Sequence, residues 1–94
     1  MVAVHREDDE RVCGALTIVS GQSSVFCNGK LWSVEGDKNS HGNGDLIASG
    51  AVDVFIEGKK VIVINDSALE DNLCPIPPHC SPDALTGSDN VFAA

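Results

Sequence analysis

"SGAVDVFIEGKKVIVIND", residues 49–66, repeats the pattern of "SGQSSVFCNGKLWSVEGD", residues 20–37. Both copies begin with Ser-Gly, continue with Val-Phe and Gly-Lys, and end with Asp at the same offsets. Residues 86–92, "TGSDNVF", match the start of a third copy. Units this short do not bury a core alone, but they do so when they stack around an axis. The sequence therefore predicts three pseudo-threefold repeats.

Each longer copy has the pattern of a β-hairpin. Asn28-Gly29 and Glu57-Gly58 stand between short apolar runs, and Asn-Gly is typical of a two-residue turn with left-handed backbone. No stretch has the apolar spacing of an amphipathic helix. We expect an all-β fold with at most one short helix and with the long loops gathered at one end.

Composition limits the classes of protein that fit. The chain has 94 residues and only four aromatic side chains, so we expect one domain over residues 1–94 with a thin aliphatic core that a metal or a covalent link would stabilise. Its formal net charge is −8. That charge argues against a nucleic-acid partner and against lasting attachment to an anionic membrane.

The N-terminal segment MVAVHREDDER becomes acidic where a secretory signal would be apolar. The longest apolar run, residues 61–64, is far too short to span a bilayer. We therefore expect synthesis in a cytoplasm without a signal peptide. In that compartment the four cysteines are expected to be metal ligands or buried thiols rather than disulfides.

The candidate metal ligands follow the repeat. Cys13 and His79 each lie seven residues before the first residue of their copy, and His41 lies eight residues before its own. Threefold packing would bring these three side chains together, and Cys74 and Cys80 in the third loop offer a fourth. Thiolate and imidazole suit zinc, with iron as the alternative. His5 has no counterpart in register and is expected to lie in a solvated, charged terminus.

Other polar residues have plainer explanations. Cys27 aligns with Ile56 and is expected to be a small buried side chain, and Asp37 and Asp66 are expected to be turn residues. No nucleophile elbow, phosphate-binding loop or dinucleotide fingerprint is present in the sequence. We expect a protein that is not an enzyme, since four soft ligands favour a closed structural site over a catalytic metal with an open position.

The sequence resembles PAAR-repeat proteins from about residue 12 to residue 92. The likeness is carried by five motifs: "CGA" at 13–15, "GDKNSHGNG" at 36–44, "SGAVDVFIEGK" at 49–59, Cys74-Pro75 with His79, and "GSDNVF" at 87–92. The Pro-Ala-Ala-Arg motif itself is absent, and its two places hold "LWSV" and "KVIV".

This resemblance implies a small cone of β-hairpin repeats with a metal held by loops at the apex. It selects Cys74 as the fourth ligand beside Cys13, His41 and His79. Cys80 is the second choice, because it neighbours His79 and adjacent residues of an extended chain point apart.

The resemblance also implies a non-enzymatic function. Proteins of this family cap the trimeric β-helical spike of phage tails and type VI secretion systems, one copy per trimer, and sharpen it for membrane piercing. The chain would then be located at a virion tail tip or be secreted with the machine, in transient contact with the target membrane. We expect an apolar base built from residues such as Val25, Val54, Ile62 and Ile64. The alternatives are a small metalloenzyme and a stand-alone secreted module stabilised by metal or disulfides.

Overall fold

The structure is a computed structural model that describes residues 2–50, 54–74, 76 and 79–93. Pro75, part of one motif quoted above, lies outside them. The described residues contain no helix, so none is available to cross a membrane, and the prediction of an all-β fold is confirmed. The strands are β1 Val2–Ala3, β2 Thr17–Ile18, β3 Phe26–Cys27, β4 Lys30–Leu31, β5 Lys38–Asn39, β6 Phe55–Ile56, β7 Lys59–Lys60 and β8 Phe92–Ala93.

The two predicted hairpins are present. Strand β3 pairs with β4, and β6 pairs with β7, each in antiparallel register. The turn residues all have positive φ: 56° and 81° at Asn28 and Gly29, and 53° and 81° at Glu57 and Gly58. Two consecutive left-handed residues match the right-handed twist of the flanking strands, which is why this turn closes a tight hairpin.

A third strand pair joins the two ends of the chain. Strand β1 pairs antiparallel with β8, and Ala3 lies opposite Phe92 as Leu31 lies opposite Phe26. The third copy of the repeat is therefore completed by the N-terminal segment. This pairing was not predicted from the sequence, in which the third copy stops after Val-Phe.

A closed ring of backbone hydrogen bonds ties the three units together. The His5 N–H donates to the Ile62 carbonyl at 3.1 Å, Ile62 N–H to the Ser33 carbonyl at 2.9 Å, and Ser33 N–H to the His5 carbonyl at 3.0 Å. A second cycle runs in the opposite direction, with the donor and acceptor pairs Glu7–Leu31, Glu35–Lys60 and Ile64–Ala3. Each unit therefore donates to both of its neighbours and accepts from both.

A carboxylate closes the turn that follows the ring in each unit. Oδ2 of Asp9, Asp37 and Asp66 accepts the backbone N–H of the residue three positions earlier, at 2.8, 2.9 and 3.0 Å. Oδ1 of Asp37 and Asp66 also accepts the N–H groups of the Ser-Gly pair that opens the same copy. The predicted turn role of Asp37 and Asp66 is confirmed.

The glycine of each Ser-Gly pair is required by close packing. A Cβ at Gly21 would lie 2.6 Å from Cγ2 of Val34, and a Cβ at Gly50 would lie 2.6 Å from Cγ2 of Val63. No side chain fits at that distance, so the repeat keeps glycine where the loop crosses its own strand.

The core is aliphatic and small. One cluster is formed by Val4, Cys27, Val34, Ile56, Val61 and Val63, and another by Leu46, Ile62, Ala68 and Ala84. Cys27 is buried as predicted. Ile62 is fully buried, so its assignment to an exposed base is wrong: its side chain packs in the second cluster with Leu46, Ala68 and Ala84.

His5 is buried, which corrects the expectation of a solvated terminus. Its Nδ1–H donates to the Thr86 carbonyl at 2.7 Å, which leaves Nε2 to accept from the Thr17 hydroxyl at 2.6 Å. The Thr17 oxygen in turn accepts Nε–H of Arg11 at 2.6 Å. Burial, together with the positive charge of Arg11, lowers the pKa of His5 from 6.5 to about 4, although the Thr86 carbonyl and nearby carboxylates oppose the shift.

Acid should therefore destabilise this protein in a defined window. The unfolded chain takes up a proton on His5 near pH 6.5 and the folded chain only near pH 4. The stability that the neutral, buried His5 allows is therefore complete above pH 6.5 and is lost progressively down to pH 4. The shift corresponds to about 3 kcal/mol. Urea unfolding at a series of pH values from 7.5 to 4 measures this loss of unfolding free energy. Excess chelator is present throughout, so that metal binding does not contribute to the pH dependence.

The matched variant is His5→Gln, since an amide donates and accepts hydrogen bonds but does not titrate in this range. The difference in unfolding free energy between wild type and variant should shrink as the pH falls. A difference that stays constant from pH 7.5 to 4 would contradict the assignment.

Candidate metal centre

Three loops leave the carboxylate turns and return to the body by equivalent hydrogen bonds. Thr17, Leu46 and Ala84 donate their N–H groups to the carbonyls of the turn residues Asp9, Asp37 and Asp66, each at 3.0 Å. We call the enclosed segments loop 1 (residues 10–16), loop 2 (38–45) and loop 3 (67–83). Loop 3 is about twice as long as the others, and it is the only one to supply two of the donors described below.

Loops 1 and 2 present one donor each from the same position. Cys13 lies four residues after Asp9, and His41 lies four residues after Asp37. Each stands in a four-residue turn closed by a backbone hydrogen bond, from Gly14 to Arg11 in loop 1 and from Gly42 to Asn39 in loop 2. The left-handed backbone at Gly14 and Gly42, with φ of 87° and 93°, is where these turns need glycine.

The donor atoms of the three loops converge on one point. One donor atom each from Cys13, His41, Asp71 and His79 lies within 4.8 Å of the other three. Oδ2 of Asp71 is the common neighbour, at 3.7 Å from Sγ of Cys13, 3.4 Å from Nδ1 of His41 and 3.1 Å from Nδ1 of His79. Sγ of Cys13 lies 3.8 Å from Nδ1 of His41. We call these four residues the donor cluster.

These spacings fit a tetrahedral zinc ion. Zinc bonds of about 2.0–2.3 Å to nitrogen, oxygen and sulfur place the donors roughly 3.3–3.6 Å apart, and the measured separations around Asp71 bracket that range. A thiolate, a carboxylate and two neutral imidazoles also carry the two negative charges that balance Zn²⁺. The donor cluster therefore could hold zinc through all four side chains, and iron accepts the same donor types.

Asn39 holds two of the donors in place. Its Nδ2 donates to Oδ2 of Asp71 at 3.1 Å, and its Oδ1 accepts the backbone N–H of His41 at 2.9 Å. The amide is fully enclosed, and a Cβ at Gly44 would lie 2.6 Å from its Nδ2. Outer hydrogen bonds of this kind fix the direction of ligands and raise metal affinity.

The electrostatics of the donor cluster favour an ionised carboxylate and a protonated thiol before metal arrives. Burial alone would raise the pKa of Asp71, but hydrogen bonds from the Leu73 N–H and from His79, Asn39 and His41 outweigh burial and hold that pKa below its usual range. Burial, followed by the charge of Asp71, raises the pKa of Cys13. A metal ion would therefore displace a proton from the thiol, so binding should weaken in acid.

Arg11, in loop 1, forms hydrogen bonds with both of the other loops that carry the donor cluster. It is fully buried, and its guanidinium donates to the carbonyls of Gly44 at 2.9 Å and Pro82 at 3.1 Å, in loops 2 and 3, and to that of Asp37 at 3.3 Å. Burial lowers its pKa to about 10, against the opposing effect of Cys13 and nearby aspartates. Asp9 and Arg11 of the charged N-terminal run are thus buried, contrary to the sequence-based expectation, whereas Asp8 and Glu10 are exposed.

Three of the four predicted ligands lie in the donor cluster: Cys13, His41 and His79. Cys74 does not, because its sulfur is bonded to Cys80 in a disulfide. The assignment of Cys74 as a ligand is therefore corrected, as are the second choice of Cys80 and the expectation of no disulfide. His5 takes no part, since both of its ring nitrogens are engaged in the interior.

Asp71 was not among the ligands predicted from the sequence. Asp71 N–H donates to the His79 carbonyl, as Asn39 N–H does to the Asn43 carbonyl in loop 2, so Asp71 opens the third turn. The sequence contains fourteen acidic residues, and their spacing alone does not distinguish this one. The usable signal was the length of loop 3, which leaves room for a donor at each end.

Comparisons with known proteins assign no family to the chain. No model of a protein family matches the sequence, and no curated protein matches it either. The likeness to PAAR-repeat proteins therefore stays a resemblance, and the function has to be inferred from the geometry of the molecule itself.

Asp71 should be essential for metal binding. Asp71→Asn keeps an oxygen for the Leu73 N–H but removes the charged donor, so we expect zinc affinity to fall by at least about a hundredfold, beyond the loss typical of outer-shell changes. Competition with a chromophoric chelator measures this at pH 7.5. Asp45→Asn is the control, because Asp45 is paired with the exposed Lys38 outside the donor cluster. Equal affinities of wild type and Asp71→Asn would contradict the assignment.

Removal of the metal should lower the melting temperature and loosen the three loops. Structural zinc contributes about 10–16 kcal/mol apparent in small peptides, and a whole domain is stable by only about 5–15 kcal/mol. We expect one zinc per chain by elemental analysis and a large drop in melting temperature with a strong chelator. His41→Ala should reproduce the low value and respond little to chelator. A wild-type melting temperature unchanged by chelator would exclude a structural metal.

Proposed function

We propose that this chain is a non-enzymatic spike-tip protein that caps the trimeric β-helical spike of a contractile injection machine, either a phage tail or a type VI secretion system. The observation that carries the proposal is the closed hydrogen-bond ring of His5, Ser33 and Ile62. It gives one polypeptide three equivalent units around one axis. Such a molecule can match a homotrimer along the trimer's own axis, with one copy bound per trimer.

An apolar surface with the same repeat supports a docking role. Phe26, Phe55 and Phe92 occupy the same position in the strand pairs β3–β4, β6–β7 and β1–β8 and are 59%, 55% and 47% exposed. Three exposed aromatic side chains cost solubility unless another surface covers them. They replace Ile62 as the main candidates for the base, and the exposed Val25 and the partly buried Val54 and Ile64 stay further candidates.

The order of features along each unit supports a cone with the metal at its apex. Each unit runs from a strand pair bearing an exposed Phe, through the ring, to a loop that contributes to the donor cluster. The molecule measures 32 × 23 × 22 Å along its principal axes, so it is longer in one direction. In this proposal the strand pairs form the base, and the metal cross-links the three loops at the tip.

A structural metal fits this role better than a catalytic one. Four protein donors at tetrahedral spacing fill the coordination sphere of zinc and leave no position for water or substrate. The cross-link would stiffen a point that has to enter a target membrane. The net charge of −8 favours brief contact with an anionic membrane rather than retention on it.

The disulfide favours one second candidate, a stand-alone binding module that acts in an oxidising compartment. The Cys74–Cys80 bond is of the kind that persists outside reducing cytoplasm. Such a module would use the same donor cluster for stability but would not recognise a β-helical trimer, so a direct binding experiment separates the two candidates.

The capping proposal predicts one chain per spike trimer. Native mass spectrometry of this protein mixed with the trimeric β-helical spike of the same genome should show a 3:1 complex. Phe26→Asp and Phe55→Asp should each weaken binding at least tenfold, since a carboxylate would be buried without a partner. Leu69→Asp, at a site that is also 55% exposed but lies in loop 3, is the matched control. A complex with three copies per trimer, or equal weakening by Leu69→Asp, would contradict the proposed geometry.

A further inference from the structure

We propose that the Cys74–Cys80 disulfide controls the metal affinity of the donor cluster, so that the oxidised chain binds metal tightly and the reduced chain binds it weakly. The inference goes beyond the capping role and rests only on metal binding by the donor cluster. It would hold equally for a tip protein and for a stand-alone module.

The disulfide joins the two segments of loop 3 that carry its donors. Cys74 follows Asp71 by three residues, and Cys80 directly follows His79. The turn at Asp71 is closed by the Cys74 N–H, which donates to the Asp71 carbonyl at 3.2 Å, and Asp71 N–H donates to the His79 carbonyl at 2.9 Å. With Cα atoms of the two cysteines 4.9 Å apart, the covalent bond holds together the same two chain segments that carry the donors.

Among the described residues between the two donors of loop 3, the large apolar side chains are poorly packed: Leu73 is 42% exposed and Ile76 is 61% exposed. Cys13 and His41, in contrast, stand in four-residue turns of short loops. A long loop loses more entropy when its ends are brought together, so loop 3 has the greatest need of a covalent link to place Asp71 and His79.

Reduction removes that link by a balanced reaction. A trialkylphosphine transfers two electrons to the disulfide and takes up the oxygen of one water, which gives a phosphine oxide and the thiols of Cys74 and Cys80. Loop 3 then regains the conformations that the ring of the disulfide excluded. The entropy of such a short ring corresponds to a loss of metal affinity of about ten- to a hundredfold.

The coupling works in both directions. If the disulfide increases metal affinity by a given factor, bound metal must make the disulfide harder to reduce by the same factor. A reducing cytoplasm would then favour the metal-poor form and an oxidising exterior the metal-loaded form. The reduction equilibrium thus offers a readout that does not depend on measuring metal affinity.

The test compares three forms of the full chain under anaerobic conditions: oxidised wild type, wild type reduced with a trialkylphosphine and freed of it by gel filtration, and the double variant Cys74→Ser with Cys80→Ser. Zinc affinity is measured by competition with a chromophoric chelator. Far-ultraviolet circular dichroism reports whether the β body stays folded. Cys27→Ala is the control. The Cys27 thiol is buried in a core cluster, so its removal should leave the redox response unchanged.

We expect the reduced wild type and the double variant to bind zinc about ten- to a hundredfold more weakly than the oxidised wild type, with unchanged β content. In a dithiol buffer without phosphine, bound zinc should shift the equilibrium between the Cys74–Cys80 disulfide and its two thiols toward the disulfide by the same factor. Equal affinities of the oxidised and reduced wild type would overturn the proposal while leaving the metal site intact. Tighter binding by the reduced wild type alone would overturn it in favour of a Cys74 or Cys80 ligand, and no binding by the oxidised form would overturn both.

Discussion

Three backbone hydrogen bonds, among His5, Ser33 and Ile62, are the constraint on which the molecule depends. Every strand is only two residues long, so no sheet is large enough to stand alone. The ring makes the two hairpins and the β1–β8 pair into one cooperative body, since each unit satisfies backbone groups of its neighbours. One loop follows the ring residue in each unit, so the ring determines how far apart the three loops begin. This brings donors from distant parts of the chain to one point.

Polar groups, more than apolar area, give the interior its order. The aliphatic clusters are small, whereas Asp37, Asp66 and Arg11 are almost completely buried. Each has hydrogen-bond partners, and within the described residues no buried side-chain nitrogen or oxygen lacks one. A buried polar group with its partners in place specifies one arrangement, because any shift would leave it unsatisfied. The same principle continues into the donor cluster through Asn39.

The sequence predicted those parts of the molecule that backbone geometry dictates. Glycine at Gly21 and Gly50 and the turn carboxylates recur because nothing else fits those positions, so two units and the offsets of Cys13 and His41 were visible. Only the start of the third unit was visible, in residues 86–92, since its two strands come from opposite ends of the chain. Asp71 and the pairing of Cys74 depend on how loop 3 folds back, which spacing does not encode.

The pairing of β1 with β8 also determines the order in which the molecule can assemble. Of the eight strands, β1 is synthesised first and its partner β8 last. The hydrogen bond from the Val4 N–H to the Val91 carbonyl therefore cannot form until Val91 has been synthesised. The ring itself cannot close before Ile62 has left the ribosome. Contacts of such long sequence separation make folding slow, and the nascent N-terminal strand is left with an unpaired edge. The two complete hairpins can form earlier, so the chain would fold from its middle outward and join its ends in the final step.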